Sequence, residues 1–464
     1  MRLFFLAFLA MTACDNDDDT DSDGDTGSET GSETGSETGS ETGSETDTES
    51  ETDTTPLDPY AAWTGVQIFE RRNWVAIRGI EVVQNGDVVL AGDVGSSGGE
   101  RDPAAWRLGA DLSTVAELIY PTEHGLGSAF TVFEASDGAV YIGGAGKVES
   151  DSDELVGLIW ELTEETEDTY ALAIKHRSSA SHFLPGIVNY HYIRSIDESP
   201  EGELVYVGHA AMSDISAQDP LRVATLGVVN PKSGDMVDGG AFAGYDLRTY
   251  ATSLAVIGSD VYACGASTMS DDAIGGLDLH LAHVSVSNTD MGTVAVQGTK
   301  QDDTCHGMVT DGSKLYIGGS SSGALFADAG DGRDATIASY STDYKLNWGV
   351  QVVDPGTGFI ESMVLGGDGH LYVIGADNYT GNTSKAWVAS YTTSGVERWT
   401  RTFGNGTNMA RPQDLAFTDG ELFVAGWIRP NNTEHGNEFE GRTFARSLSV
   451  GFAMRLDPAT GALQ

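Results

Sequence analysis

The sequence predicts an all-β chain: a seven-bladed β-propeller of four-stranded antiparallel blades, closed by an N-terminal strand that completes the last blade. Three observations predict it. A unit made of a tight turn, an apolar strand and a glycine occurs seven times from Asn85 onward, with final glycines 51 to 64 residues apart. Each copy has the same surroundings, which supply three further strands. Finally, the last copy ends one strand short, while residues 63 to 70 read as the missing strand.

The seven units begin with Asn85-Gly-Asp-Val-Val-Leu-Ala-Gly92 and Asp137-Gly-Ala-Val-Tyr-Ile-Gly-Gly144 and end with Asp419-Gly-Glu-Leu-Phe-Val-Ala-Gly426. Asp-Gly and Asn-Gly pairs suit tight hairpins, because glycine reaches positive φ without steric cost. The following residues are β-branched or aromatic, as strands prefer. A short apolar strand such as Glu361-Ser-Met-Val-Leu365 precedes the unit, and a third such as Ala386-Trp-Val-Ala-Ser-Tyr391 follows it. A fourth follows a further turn, as in Trp399-Thr-Arg-Thr-Phe403. Four antiparallel strands repeated seven times make a propeller. Stacked blades bury both faces of most strands, which accounts for near-continuous apolar runs. The final glycines are expected to allow adjacent blades to approach closely.

The ends provide the closure. After Phe452-Ala-Met-Arg-Leu456 the chain has no fourth strand, whereas Ala62-Trp-Thr-Gly-Val-Gln-Ile-Phe69 matches Asn347-Trp-Gly-Val-Gln-Val352, a fourth strand elsewhere. Pairing the two ends leaves no open sheet edge there. The propeller is assigned to residues 57–464.

Residues 1–13 read as a signal peptide: Arg2, the apolar run Leu3 to Ala10, then small residues before Cys14. The apolar run is too short to span a membrane as a helix. Residues 14–56 are an acidic tether of Asp, Glu, Ser, Thr and Gly, with Thr-Gly-Ser-Glu in five tandem copies from Thr26 to Glu45. Such a composition offers nothing apolar to offset the entropy of ordering. Asp19, Asp21, Asp23 and Gly24 begin like a calcium loop, but Thr30 stands where a bidentate Glu is needed, so no metal is expected there. The formal net charge of −45 argues against nucleic acid as a partner.

Thr12-Ala13-Cys14 resembles the lipobox of bacterial lipoproteins, which implies lipidation of Cys14, export, and attachment to the cell envelope through lipid alone. The repeat resembles the β-propeller repeats of secreted proteins and lipoproteins of myxobacteria and related bacteria, carried by the Asp-Gly, apolar, Gly units and by turns such as Asp457-Pro-Ala-Thr-Gly461. Those turns, with Thr393-Ser-Gly-Val-Glu-Arg-Trp399, are also similar to the tryptophan-docking motif of quinoprotein propellers, with Trp348 and Trp399 at the tryptophan position. No Cys-x-x-Cys-His haem site accompanies them, and no cofactor is expected.

Two Gly-x-Ser-x-Gly matches, at Gly95 and Gly319, lie in Gly/Ser-rich stretches with no helix to form a nucleophile elbow. His280 and His283, three apart on a strand, point to opposite faces and cannot share an ion. Cys264 and Cys305 fall at strand ends of blades four and five, at one mouth of the ring. A disulfide between adjacent blades is expected, with two separate thiols as the alternative.

Aligning the first strands places Arg78, Phe130, Arg194, Thr252, His306, Glu361 and Gln413 in equivalent positions near the channel mouth. Preceding segments add Trp74, His182, His191, Tyr192, Tyr245, Tyr250 and Arg411, and the loops after the second strands add acids such as Asp93, Asp151, Asp271, Asp331 and Asp377. Aromatics and cations gathered in an acidic chain suit recognition of a protein or glycan. The expectation is a monomeric, non-catalytic binding or scaffold protein with no catalytic residue assigned. An enzyme built on His306 with Glu361, or a structural surface protein, are the alternatives.

Overall fold

The structure is a computed structural model. It describes residues 60–464 except 62, 71–73, 96–100, 112, 121–126, 149–153, 167–168, 184–189, 213–220, 243–248, 269–275, 287–293, 329–331, 353–356, 378–382, 431–437 and 445–448. The signal peptide, Cys14 and the tether therefore lie outside the described residues, as do Asp151, Tyr245, Asp271 and Asp331. None of the described helices is long and apolar enough to cross a membrane.

The described strands form seven four-stranded antiparallel sheets and one short two-stranded hairpin, Glu438–Phe439 with Arg442–Thr443. Six sheets take their strands in chain order. In the seventh, Met409–Thr418, Glu421–Arg429 and Val450–Leu456 are joined on the outside by Val66–Phe69. Gln67 pairs with Ala453 and Ile68 with Phe452, so the first described strand zips onto the end of the chain, as expected. Gly65 N–H donates to Gln464 O at 2.5 Å.

The first strands line the channel: Trp74–Val82, Gly127–Glu134, Tyr190–Glu198, Thr249–Ile257, Asp303–Thr310, Thr357–Leu365 and Met409–Thr418 in blades one to seven. The turn glycines that follow them, Gly86 and its six counterparts, have φ of 58 to 86°, the left-handed region that an L side chain enters only at a cost. These hairpins mark one face of the ring; the loops after the second strands mark the other, the mouth. Tyr60 packs at the hairpin face, its hydroxyl beside Gly86 and its ring edge-on to Phe423.

Seven apolar clusters form the core, one in each gap between neighbouring blades. Second strands are buried almost throughout; Val140–Gly146 is buried at every position. The disulfide between Cys264 and Cys305 lies in the gap between blades four and five, both residues fully buried. That corrects their expected place at the mouth: each sits within its strand, paired opposite Ser253 and Gly319 respectively. At the rim, Trp348 Nε1 donates to Thr393 O at 3.0 Å and Trp399 Nε1 to Pro458 O at 2.9 Å. Each ring covers a turn glycine of the next blade, Gly395 and Gly461.

Candidate functional site

Every first strand carries an extra residue at one equivalent position, and that of blade six carries a second between Thr357 and Phe359. The register with the second strand slips between Ile77 and Gly79, Ala129 and Thr131, Ile193 and Ser195, Ala251 and Ser253, Cys305 and Gly307, Ile360 and Ser362, and Pro412 and Asp414. The residues left over are Arg78, Phe130, Arg194, Thr252, His306, Glu361 and Gln413, the seven positions aligned from the sequence. A β-bulge re-aims the side chain of its extra residue and bends the strand. Here it does so at the same position in every blade.

The final glycine of each repeat faces this bulge. A Cβ on Gly92, Gly144, Gly208, Gly265, Gly319, Gly375 or Gly426 would stand 1.8 to 2.2 Å from the carbonyl oxygen of the residue two before the bulge. The expectation that these glycines serve blade contacts is therefore corrected: they admit the bulge within their own blade. Blade contact is the task of other glycines, such as Gly318 against Ile360.

The bulge residues and those two positions before them meet around the channel. Arg194 lies 4.1 Å over the Phe130 ring, and Arg78 lies 5.5 Å from the same ring. Tyr192 stacks on His209 at 4.9 Å, and His209 meets Tyr250 edge-on at 6.3 Å. Across the channel, Arg411 pairs with Glu361, Gln413 Nε2 donates to Glu361 Oε1 at 3.3 Å, and Arg411 sits over the Phe359 and Trp427 rings. The His306 ring is 6.2 Å from Phe359, and its Nε2 is 3.0 Å from Thr304 Oγ1. Arg78 Nε binds the fully buried Asp93 at 2.6 Å. Thr252 Oγ1 donates to Cys305 O at 2.8 Å, tying blade four to blade five.

Electrostatics follow from burial and from the arginines. Burial pushes the His306 pKa down to about 4; Glu361 opposes this, and Arg333, Arg411 and Arg194 reinforce it. His209 is held well below the usual histidine value by burial, then by Arg194 and Arg222. Burial raises the Glu361 carboxyl, but Arg411, His306 and Gln413 together outweigh it and hold the pKa below the usual value. Both imidazoles are therefore neutral near pH 7 and Glu361 is ionised.

Of the residues expected at the mouth, Arg78, Arg194, His306, Glu361, Gln413, Tyr192, Tyr250 and Arg411 come together. Trp74 stands apart, its ring under the Arg101 guanidinium at 4.2 Å. His191 points into the core, with Nδ1 2.9 Å from Ser178 O and Nε2 3.0 Å from Thr225 Oγ1. His182 lies at the outer edge of blade two, lining a cavity of about 400 Å³ with Lys175, His176 and Arg177.

Phe359, His209, Trp427, Arg222 and Arg333 belong to the cluster and were not named from the sequence as its members. A signal for two of them existed: His209 and Trp427 directly follow the final glycine of their repeat and pair with Tyr192 and Arg411. Among the described residues no group of three His, Cys, Asp or Glu side chains is placed to hold a metal. His280 is buried while His283 stacks on Tyr262.

No protein-family model matches the chain, and no curated protein matches it. Among solved structures, the polysaccharide lyase Uly1 is 10% identical, covers 81% of this chain and 89% of its own, and gives a TM-score of 0.50. The gluconolactonase XC5397 from Xanthomonas campestris is 10% identical over 66% of this chain and 85% of its own, at a TM-score of 0.34. A Trypanosoma rangeli sialidase is 10% identical over 84% of this chain and 59% of its own, at 0.42. The likeness to Uly1 bears on fold alone, and with the seven sheets described above the chain is a seven-bladed β-propeller.

Proposed function

We propose that the protein is a non-catalytic binding protein of the bacterial cell envelope that recognises a protein or glycan at the propeller mouth. The observation that carries this reading is the ring of seven bulges. Each blade spends a β-bulge and a glycine to aim one side chain at the channel, and the side chains so aimed are Arg, Phe, Arg, Thr, His, Glu and Gln. Unlike side chains at equivalent positions around one axis suit a specific, asymmetric ligand rather than mere packing. Export and lipidation at Cys14 rest on the lipobox-like Thr12-Ala13-Cys14, and the likeness of the repeat to those of secreted bacterial propellers and lipoproteins supports the same placement.

The test is a ligand screen on the propeller, residues 57–464, with envelope proteins and glycans as analytes. Binding abolished by Arg194→Ala at unchanged melting temperature, and weakened by Arg78→Ala at a temperature well below the melting point of that variant, which also strips buried Asp93 of its partner, supports the reading. Binding indifferent to both sinks it. Transfer of the full-length protein from the membrane to the soluble fraction on Cys14→Ser checks the anchor.

A second reading, an enzyme on the same scaffold, is favoured by the neutral His306 imidazole beside Thr304 and within the field of Glu361. Turnover of an envelope polysaccharide that disappears in His306→Ala would favour it over simple binding.

A further inference from the structure

The chain holds 25 basic residues against 70 acidic ones. Against that background five arginines gather at the mouth: Arg78, Arg194, Arg222, Arg333 and Arg411. Two are neutralised in place, Arg78 by Asp93 and Arg411 by Glu361. Arg222 and Arg333 have no carboxylate partner among the described residues; Arg333 instead lies 5.8 Å from the Phe359 ring. The arginines act on common targets. Tyr250 feels Arg222, Arg333 and Arg194 against Asp302, and His306 feels Arg333, Arg411 and Arg194 against Glu361. Around Tyr250 and His306 the arginines outnumber the carboxylates that act on the same groups, so these inner positions are less negative than the molecule around them, and low-dielectric walls concentrate the field of the arginines.

We infer that the ligand of the mouth is an anionic glycan, a polysaccharide carrying carboxylate or sulfate groups. This rests on the reading of the mouth as a binding site and adds the ligand's chemistry. Guanidinium groups pair with planar carboxylates and with sulfates through two parallel hydrogen bonds. The partly exposed rings of Phe130, Tyr192 and Tyr250 offer flat apolar surfaces among those cations, which suit the C–H faces of sugar rings. His306, held by Thr304, and Gln413, held by Glu361, offer fixed polar partners for hydroxyls. The site lies on channel-lining strands, with the side chains of Arg78 and Arg411 only 19% and 24% exposed.

The experiment titrates residues 57–464 with oligogalacturonate and its methyl ester, and with dextran sulfate and dextran, at about 50 and 500 mM NaCl. Each anionic glycan that binds is expected to bind about tenfold or more tightly than its neutral counterpart at low salt, and the difference is expected to shrink at high salt. The Arg222→Gln/Arg333→Gln double variant should lose that preference, with Arg333→Gln alone as the comparison if the double variant melts early. Phe130→Ala should weaken charged and neutral glycans alike. Carboxylated and sulfated probes separate the two anions. Equal binding of charged and neutral glycans, still weakened by Phe130→Ala, overturns the inference and leaves the mouth as a binding site. Binding of polyglutamate or an oligodeoxythymidylate without any glycan overturns it in favour of another class of partner. Binding of none of these probes overturns the inference. Binding that no mouth substitution affects overturns both.

Discussion

The carbonyl oxygen of Tyr192 stands 1.8 Å from the point where a Cβ on Gly208 would lie. No side chain fits there without moving the backbone, and the backbone in question aims Arg194. Gly208→Ala is expected to cost about 3 kcal/mol or more, as overpacking against a rigid neighbour does. Gly367→Ala, whose Cβ would meet only Phe417 at 4.0 Å, should change stability by less than about 0.5 kcal/mol. Urea unfolding of both variants checks the contrast. A Gly208→Ala protein as stable as the parent would mean that the bulge is dispensable.

The disulfide joins residues 41 apart in sequence, in two different blades. A loop of that length restricts the unfolded chain by an amount worth about 4 kcal/mol. Cys264→Ser/Cys305→Ser is expected to lower the urea midpoint accordingly, and dithiothreitol should lower that of the parent protein but not of the variant. An unchanged parental midpoint under full reduction would refute a stabilising role for the bond.

Glu81 lies in the channel near Asp414, whose carboxylate accepts the Ile80 N–H at 3.1 Å and the Ser362 hydroxyl at 2.8 Å. Burial, then repulsion by Asp414, pushes the Glu81 pKa up to about 8. A carboxyl with a raised folded pKa holds its proton in the native state longer than in the unfolded one. Its cost is absent below about pH 4.5, grows as pH rises, and is complete above about pH 8. Glu81→Gln should therefore flatten the fall in stability between those limits and be more stable than the parent at pH 8. Denaturant midpoints at several pH values measure this; parallel profiles for the two proteins would contradict it.

Much of this molecule was legible before its structure. The seven turn-strand-glycine units announce themselves, and the match between Trp63–Phe69 and Asn347–Val352 told which strand closes the ring. The bulge positions were legible too, because equivalent residues of a repeat occupy equivalent places even where the local geometry is unknown. The bulge itself was not. One extra residue leaves no mark in an apolar run buried on both faces, so the glycines opposite it were assigned to blade packing. Arg222 and Arg333 escaped notice for another reason. Arg222 stands near the start of a third strand and Arg333 directly before one, places that pairing patterns of the first strand do not reveal.

Because each bulge is held open by main-chain atoms and a bare glycine, its shape does not depend on which side chain stands at its tip. Arg78, Phe130, Arg194, Thr252, His306, Glu361 and Gln413 occupy seven sockets of the same make. A propeller of this construction can be refitted for a new target by changing what is plugged into those sockets, one blade at a time, without redrawing the scaffold beneath.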